Sequence, residues 1–367
     1  MPTPSPSPAP DRPTIAISMG DPLGIGPEVT VRALTDARLR KAARYVIHGW
    51  SPAMHTAAEA LGVEPFWWRV PAGEAAEHAS SSHDVLLVDP PAGEAPPPTL
   101  LDHAPEPTRQ GGALSFACVE RAIADCLRPE GDARRADAIV TAPINKAAWA
   151  LAGKAKYPGH TELLATRARA KRFRMVFASD ALRVALCTAH IPLMELRNVL
   201  TIGRVHETID LAHEFCLELG IPAPRIGVCG VNPHAGEGGL LGDEDERLIT
   251  PAIHAAQQQG IDAHGPFPAD TIFQGALLDR PGGARRHDIV VAMYHDQGLI
   301  PVKLLAFDNA VNCTQGLPFV RTSPDHGTAY DIARSYTASA GSMTRAVDLA
   351  IRLSAHRAVS LGSAPSA

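Results

Sequence analysis

Short β-branched runs alternate with Ala/Leu-rich amphipathic stretches along most of this chain, and that alternation restricts its fold more than any other feature. Thr14–Ser18, Tyr45–His48, Asp84–Val88 and Ala138–Thr141 read as strands, with helical pattern between several of them. Strands separated by helices must be joined by crossovers, so the class is α/β with a largely parallel sheet. Arg204–Leu219 predicts one such helix: Val205, Ile209, Leu211, Ala212, Phe215 and Leu219 fall near helical spacing, and Thr201 upstream supplies a cap. Ser342–Ala355 predicts another, packing back on the first part of the chain. At 367 residues the chain exceeds one ordinary domain, so two are expected.

Three further strand-like runs share an ending. Leu182–Cys187 leads into Thr188-Ala189-His190, Ile226–Val231 into Asn232-Pro233-His234, and Ile289–Met293 into Tyr294-His295-Asp296. Parallel α/β sheets bind ligands just beyond the carboxyl ends of their strands, so three histidines there can converge although they are far apart in sequence. A lone histidine among the 16 in the chain would be an ordinary core or surface residue. Three at strand ends make an open, catalytic type of metal site, with Asp296 placed to orient His295.

Other classes are disfavoured by composition. A net charge of -5, with no Lys/Arg-rich run, gives no electrostatic footprint for nucleic acid. No uninterrupted apolar run is long enough for a membrane span, and the Pro/Ser-rich opening lacks the pattern of a signal peptide. The expectation is a soluble, cytoplasmic protein with a loose tail over residues 1–13 and surface loops at Pro90–Pro98 and Pro281–Arg286. The cysteines (118, 126, 187, 216, 229 and 313) show no Cys-x-x-Cys pair and read as reduced core residues.

Several motifs point to an anion. Met19-Gly20-Asp21-Pro22-Leu23-Gly24-Ile25-Gly26-Pro27-Glu28 follows the first strand and reads either as a phosphate-cradling loop or as a plain strand-to-helix turn. Tyr157-Pro158-Gly159-His160-Thr161-Glu162 precedes a helix-like stretch. Backbone amides at such a start suit an anion, with His160 and Thr161 as added donors, although Thr161 also reads as a simple cap. Lys303, Asn312 and Arg321 interrupt apolar segments and are candidates for gripping carboxylate or phosphate.

With these segments in hand, the chain closely resembles the 4-hydroxythreonine-4-phosphate dehydrogenase family of pyridoxal phosphate biosynthesis. The resemblance runs from about Thr14 to the C-terminal helix. It rests on Met19–Glu28, Thr141-Ala142-Pro143-Ile144-Asn145-Lys146, Gly159–Glu162, Asn232-Pro233-His234-Ala235-Gly236-Glu237, Pro268-Ala269-Asp270-Thr271, Tyr294-His295-Asp296-Gln297-Gly298 and Gly316–Ser323. It implies an isopropylmalate/isocitrate dehydrogenase-like fold of two α/β domains with a cleft between them. The implied division is residues 14–150 plus 333–367 for the first domain and 151–332 for the second, with a homodimer whose active sites are shared between subunits.

The same resemblance implies a divalent metal (zinc, cobalt or magnesium) on His190, His234 and His295, and substrate contacts on His160, Thr161, Lys303, Asn312 and Arg321. The implied reaction is oxidation of a small phosphorylated substrate, 4-phosphohydroxy-L-threonine, with NAD or NADP. Asp270 is the first candidate for the general base and Lys303 the second. No residue can be assigned to the nucleotide, because the usual dinucleotide fingerprint is absent. Dehydrogenases of threonate or erythronate phosphates would share the phosphate and metal residues, and Asp308-Asn309-Ala310 and Gln315 depart from the pattern expected near the substrate. A metal-dependent hydrolase or lyase, and a phosphometabolite-binding protein, are the readings from other classes.

Overall fold

The chain forms one twelve-stranded sheet with helices packed against it, in a computed structural model that describes residues 12–73, 83–277 and 286–362. The expected tail falls outside these residues up to position 11, and so does the loop expected at Pro281–Arg286 as far as position 285. The strands are β1 (Thr14–Ser18), β2 (Arg44–His48), β3 (Trp68–Pro71), β4 (Val85–Asp89), β5 (Ala138–Thr141), β6 (Arg174–Ala178), β7 (Arg183–Leu186), β8 (Ile226–Cys229), β9 (Ala263–Phe267), β10 (Ile289–Ala292), β11 (Val311–Gln315) and β12 (Val320–Pro324). Their spatial order is β3-β4-β2-β1-β5-β12-β11-β6-β7-β10-β8-β9.

Two parallel halves meet at an antiparallel seam. From β3 across to β12 every pairing is parallel, as is every pairing from β7 across to β9. Between them β11 is antiparallel to both β12 and β6, and β6 is antiparallel to β7. Helices cover the parallel halves, so strands such as β4 and β10 are buried along their whole length and their sequences run almost continuously apolar. β12 is just as buried but reads Val-Arg-Thr-Ser-Pro, and its polar side chains need partners inside the protein.

The helix expected at Arg204–Leu219 spans Ile202–Glu218, and the Thr201 hydroxyl accepts from the Arg204 amide at 3.1 Å as its cap. Val205, Ile209, Leu211, Ala212 and Phe215 are fully buried on its inner face. The C-terminal helix runs longer than its periodicity indicated, over Gly341–Gly362. It packs on β12, β5, β11 and the Gly26–Leu34 helix, and its Ala346 carbonyl accepts from the Thr322 hydroxyl at 2.8 Å. All six cysteines are free and buried, and no helix among the described residues is long and apolar enough to cross a membrane.

The loop after β1 settles into the second of its two sequence readings, a strand-to-helix turn. The Asp21 amide donates to Pro143 O at 2.9 Å and the Ile25 amide to Thr328 O at 3.0 Å, so these donors serve the protein itself. Its glycines allow close backbone approach. At Gly20 (φ +80°) a Cβ would lie 2.3 Å from the Pro143 carbonyl oxygen, and at Gly26 the same distance from that of Met19. Gly20→Ala therefore adds a steric clash to the cost of a left-handed alanine. Gly62 (φ +63°), with nothing within 4 Å, carries only the conformational cost. Urea unfolding should show Gly62→Ala destabilising by about 1–2 kcal/mol and Gly20→Ala by clearly more; equal losses would mean that the loop packing is not the constraint.

Candidate active site

Arg321 projects from β12 at the seam of the sheet, and its side chain is buried, with 3% of its surface exposed. Its Nη2 donates to Thr141 Oγ1 on β5 at 3.0 Å, and its Nη1 to Thr314 Oγ1 on β11 at 3.1 Å and Asn312 Oδ1 at 3.4 Å. Every one of these partners is neutral. Nε has no partner, and among the described residues no carboxylate forms an ion pair with this guanidinium. Burial lowers its pKa to about 10, so it stays charged at neutral pH. Glu162 in the same cleft acts on it without an ion pair, and a buried cation without a contacting counter-charge carries a desolvation cost that an anion delivered from solution would offset.

The space beside Arg321 is a cleft of about 430 Å³. Opposite the sheet stands the start of the His160–Ala168 helix, whose N-cap is Gly159 with no side-chain capping bond. Thr161 is thus a first-turn residue facing the cleft and not the helix cap. The amides of that turn and the buried, unpartnered Nε2 of His160 add polar groups without protein partners at the cleft. Burial first, then the charges of Arg321 and Lys146, hold His160 well below the usual histidine range, so its ring is neutral. Asn312 also lines the cleft. Four of the five substrate residues expected from the sequence, His160, Thr161, Asn312 and Arg321, therefore share one cavity.

Lys303, the fifth, is engaged elsewhere. It forms an ion pair with the carboxylate of Asp325 and donates to the Asp325 carbonyl at 3.2 Å. Asp325 lines the cleft and Lys303 stands behind it. Asp270 is exposed in the first turn of the Ala269–Ala276 helix and does not line the cleft within this chain.

His190 lines the same cleft and also an adjoining one of about 680 Å³, which shares Thr161, Glu162 and Met175 with the first. The ring centroids of His190 and His295 are 5.7 Å apart. Side chains stitch together the strand ends that carry them: Thr188 Oγ1 donates to Met293 O at 2.8 Å, while Gln297 accepts from the Met293 amide at 2.7 Å and donates to Gly230 O at 2.8 Å. His234 does not join this pair, and among the described residues no group of three His, Cys, Asp or Glu is placed to hold a metal ion. His234, Ala235 and Glu237 have φ values of 52°, 53° and 44°, and the loop is pinned by buried Asp245, which accepts from the Val231 and Asn232 amides at 2.7 and 3.1 Å. The loop therefore presents the His234 ring outward to solvent.

The donor chemistry of these histidines fits a divalent metal. His295 Nδ1 lies 2.7 Å from Asp296 Oδ1, and His234 Nδ1 lies 3.2 Å from Glu237 Oε2. A carboxylate on Nδ1 fixes the tautomer and leaves Nε2 as the ligating atom. Burial first, then Lys146 and His295, lower the pKa of His190 and favour the neutral, ligating form. Sequence inspection by residue type did not single out Lys146, Glu162, Asp325 or His326, all of which line the cleft. Glu162 stood within the Tyr157–Glu162 motif without a role of its own, and Lys146 only within the Ile-Asn-Lys run of the resemblance.

An α/β sheet carries a buried guanidinium without an ion pair, a helix start and His190 around one cleft, with His295 beside His190. Residues 41–350 match the family described as pyridoxal phosphate biosynthetic protein PdxA, and the chain belongs to that family of dehydrogenases. It is 44% identical over 340 residues to D-threonate 4-phosphate dehydrogenase of Salmonella typhimurium, covering 93% of this chain and 98% of that one. It is also 44% identical over 343 residues to 4-hydroxythreonine-4-phosphate dehydrogenase of Geobacter metallireducens, covering 93% and 96%. The crystal structure of 4-hydroxythreonine-4-phosphate dehydrogenase from Klebsiella pneumoniae superposes with a TM-score of 0.76 at 40% identity, covering 95% of this chain and 99% of that one.

Replacing Arg321 by Met separates function from stability. Inorganic phosphate should bind roughly 10- to 100-fold more weakly by calorimetry, the worth of a lost charged hydrogen bond, while thermal unfolding without phosphate stays unchanged or rises. A variant that unfolds early and still binds phosphate would show the guanidinium to be a structural residue.

Proposed function

We propose that the chain oxidises 4-phosphohydroxy-L-threonine at C3 to 2-amino-3-oxo-4-(phosphonooxy)butyrate, which loses carbon dioxide to give 3-amino-2-oxopropyl phosphate, in pyridoxal phosphate biosynthesis. The observation that carries this reading is the buried, unpaired Arg321 in one cleft with His190. One end of the cleft suits a phosphate and the other suits a metal-bound hydroxyl. His160, Thr161, Asn312 and Arg321 hold the phosphate, and Lys303 joins them when its ion pair with Asp325 opens.

His190 and His295 of one subunit and His234 of its partner would hold zinc, cobalt or magnesium. A divalent metal there lowers the cost of charge on the C3 oxygen and on the enolate left by decarboxylation. NAD or NADP would supply the hydride acceptor, with the protein supplying orientation. The C3 hydroxyl proton goes to a base for which Asp270 of the partner subunit is the first choice and Lys303 the second. Asp308, Asn309 and Gln315, which depart from the expected pattern, stand off the cleft lining and leave the phosphate end intact.

A homodimer is favoured by exposed apolar side chains on the segments that follow the three histidines. Met194, Leu240 and Leu304 are each more than four-fifths exposed, and a second copy would cover them. On this reading residues 14–150 with 333–367 form the first domain and 151–332 the second, and the protein works in the cytoplasm.

D-threonate 4-phosphate is the second reading for the substrate, favoured by the equal identity to the two named relatives. The deciding assay follows NADH absorbance with protein, divalent metal, NAD and either 4-phosphohydroxy-L-threonine or the threonate and erythronate phosphates. Metal-dependent turnover of the amino acid is expected. Turnover of the sugar acids alone would move the substrate, and silence with all of them would favour a hydrolase or a binding protein.

Subunit mixing tests the shared site. His234→Ala and His295→Ala should each be inactive alone. Random reassociation of the two should restore roughly a quarter of wild-type activity, because each heterodimer contains one intact site of two. No recovery on mixing, with heterodimers demonstrated by mass, would place all three histidines on one subunit.

A further inference from the structure

Lys146 is a cation in the cleft that has no role in the reading above. It opens the Lys146–Leu151 helix, which follows β5 and is capped by Asn145 accepting from the Ala148 amide at 2.9 Å. It lines the cleft together with Arg321, His160, Glu162 and His190. Among the described residues it has no ion pair or hydrogen bond. A Cβ on Gly159 would lie 3.7 Å from Lys146 Cε and 3.4 Å from Glu162 Oε2, so both side chains lie against the backbone at the helix start. Lys146 lines the same cleft as His160, at the phosphate end, and His190, at the metal end.

A four-carbon phosphorylated hydroxy acid spanning the same two ends puts its C3 oxygen at the metal end, where Lys146 lines the cleft with His190. The phosphate is already served by Arg321, His160 and the helix amides. The unassigned cation therefore faces the reacting carbon. We propose that Lys146 is a catalytic residue that donates a hydrogen bond from its ammonium to the oxygen on the carbon being oxidised; this rests on the dehydrogenase reading above. As the C3–H bond breaks, its electron pair leaves as hydride to the oxidised nicotinamide. The O–H bond gives its proton to the base, and its electron pair becomes the second bond of the carbonyl. Lys146 itself neither gains nor loses a proton. It offsets the negative charge that the oxygen carries during the transfer, and a donor so placed is typically worth about 10²–10³ in kcat.

The test compares the wild-type protein with Lys146→Met, Lys146→Arg and Lys146→Ala, using the best substrate of the assay above and inorganic phosphate in calorimetry. We expect Lys146→Met to lose about 100- to 1,000-fold in kcat with a KM and phosphate affinity near wild type. Lys146→Arg should recover part of the loss, and ethylammonium should restore part of the Lys146→Ala rate in a saturable way. An unchanged kcat, a loss confined to KM with a parallel loss of phosphate affinity, or no response to amine would overturn the proposal. A wild-type protein that oxidises none of the phosphorylated acids sinks the functional reading and this inference with it; an active wild type with an unaffected Lys146→Met variant sinks the inference alone.

Discussion

The centre of this molecule is organised by one buried guanidinium held only by neutral partners. Arg321 sits on β12, between a parallel neighbour, β5, and an antiparallel one, β11, and it takes hydrogen bonds to Thr141 and Thr314 from both sides. That reach requires the register at the seam to be fixed on both flanks, because a slip of one residue would turn Arg321 to the opposite face. It also explains why so many hydroxyl- and amide-bearing residues occupy buried strands there. Thr314, Thr322 and Ser323 are buried, and Thr322 and Ser323 both donate to carbonyl oxygens. The fold thereby carries a cost in this region that an aliphatic seam would avoid, and an anionic ligand would offset it. Lys303 marks the contrast, since its counter-charge comes from Asp325 within the chain.

The histidines obey a different constraint. β10 pairs with β7 on one side and β8 on the other, so the ends of all three strands lie side by side and point the same way. If strand-end position alone decided, His190, His234 and His295 would meet. His190 and His295 do, because Thr188 and Gln297 tie the strand ends together and each histidine follows its strand closely. His234 does not, because the chain beyond β8 enters a run of left-handed residues. Left-handed conformations at His234, Ala235 and Glu237 cost about 1–2 kcal/mol each and persist only where surrounding contacts impose them. Asp245 imposes them by holding the Val231 and Asn232 amides, and Gly230 must lack a side chain because a Cβ there would lie 2.6 Å from the same carboxylate. A loop held so firmly in a costly shape presents its imidazole outward, which suits a ligand destined for a neighbouring subunit.

What could be read in the sequence divides along the same physical lines. Strands buried on both faces announced themselves as continuous apolar runs, and the Thr201 cap with its helical spacing identified a helix within two residues at its start. β11 and β12 were harder, because polar residues interrupt apolar ones in strands that remain buried, and the interruptions hid the elements. His160, Thr161, Asn312 and Arg321 were legible as anion candidates because their types suit anions by chemistry, and they share one cleft. Lys146 and Glu162 were not, because a lysine after an asparagine cap and a glutamate in a first helical turn are common helix-start residues. What makes them more than that is the closeness of two helix starts from separate stretches of chain across Gly159, which no local pattern encodes. The glycine stood in the sequence as the centre of an apparent turn, yet its backbone there is extended and needs no left-handed freedom. It lies against a cation and a carboxylate, and that closeness is a property of packing in three dimensions.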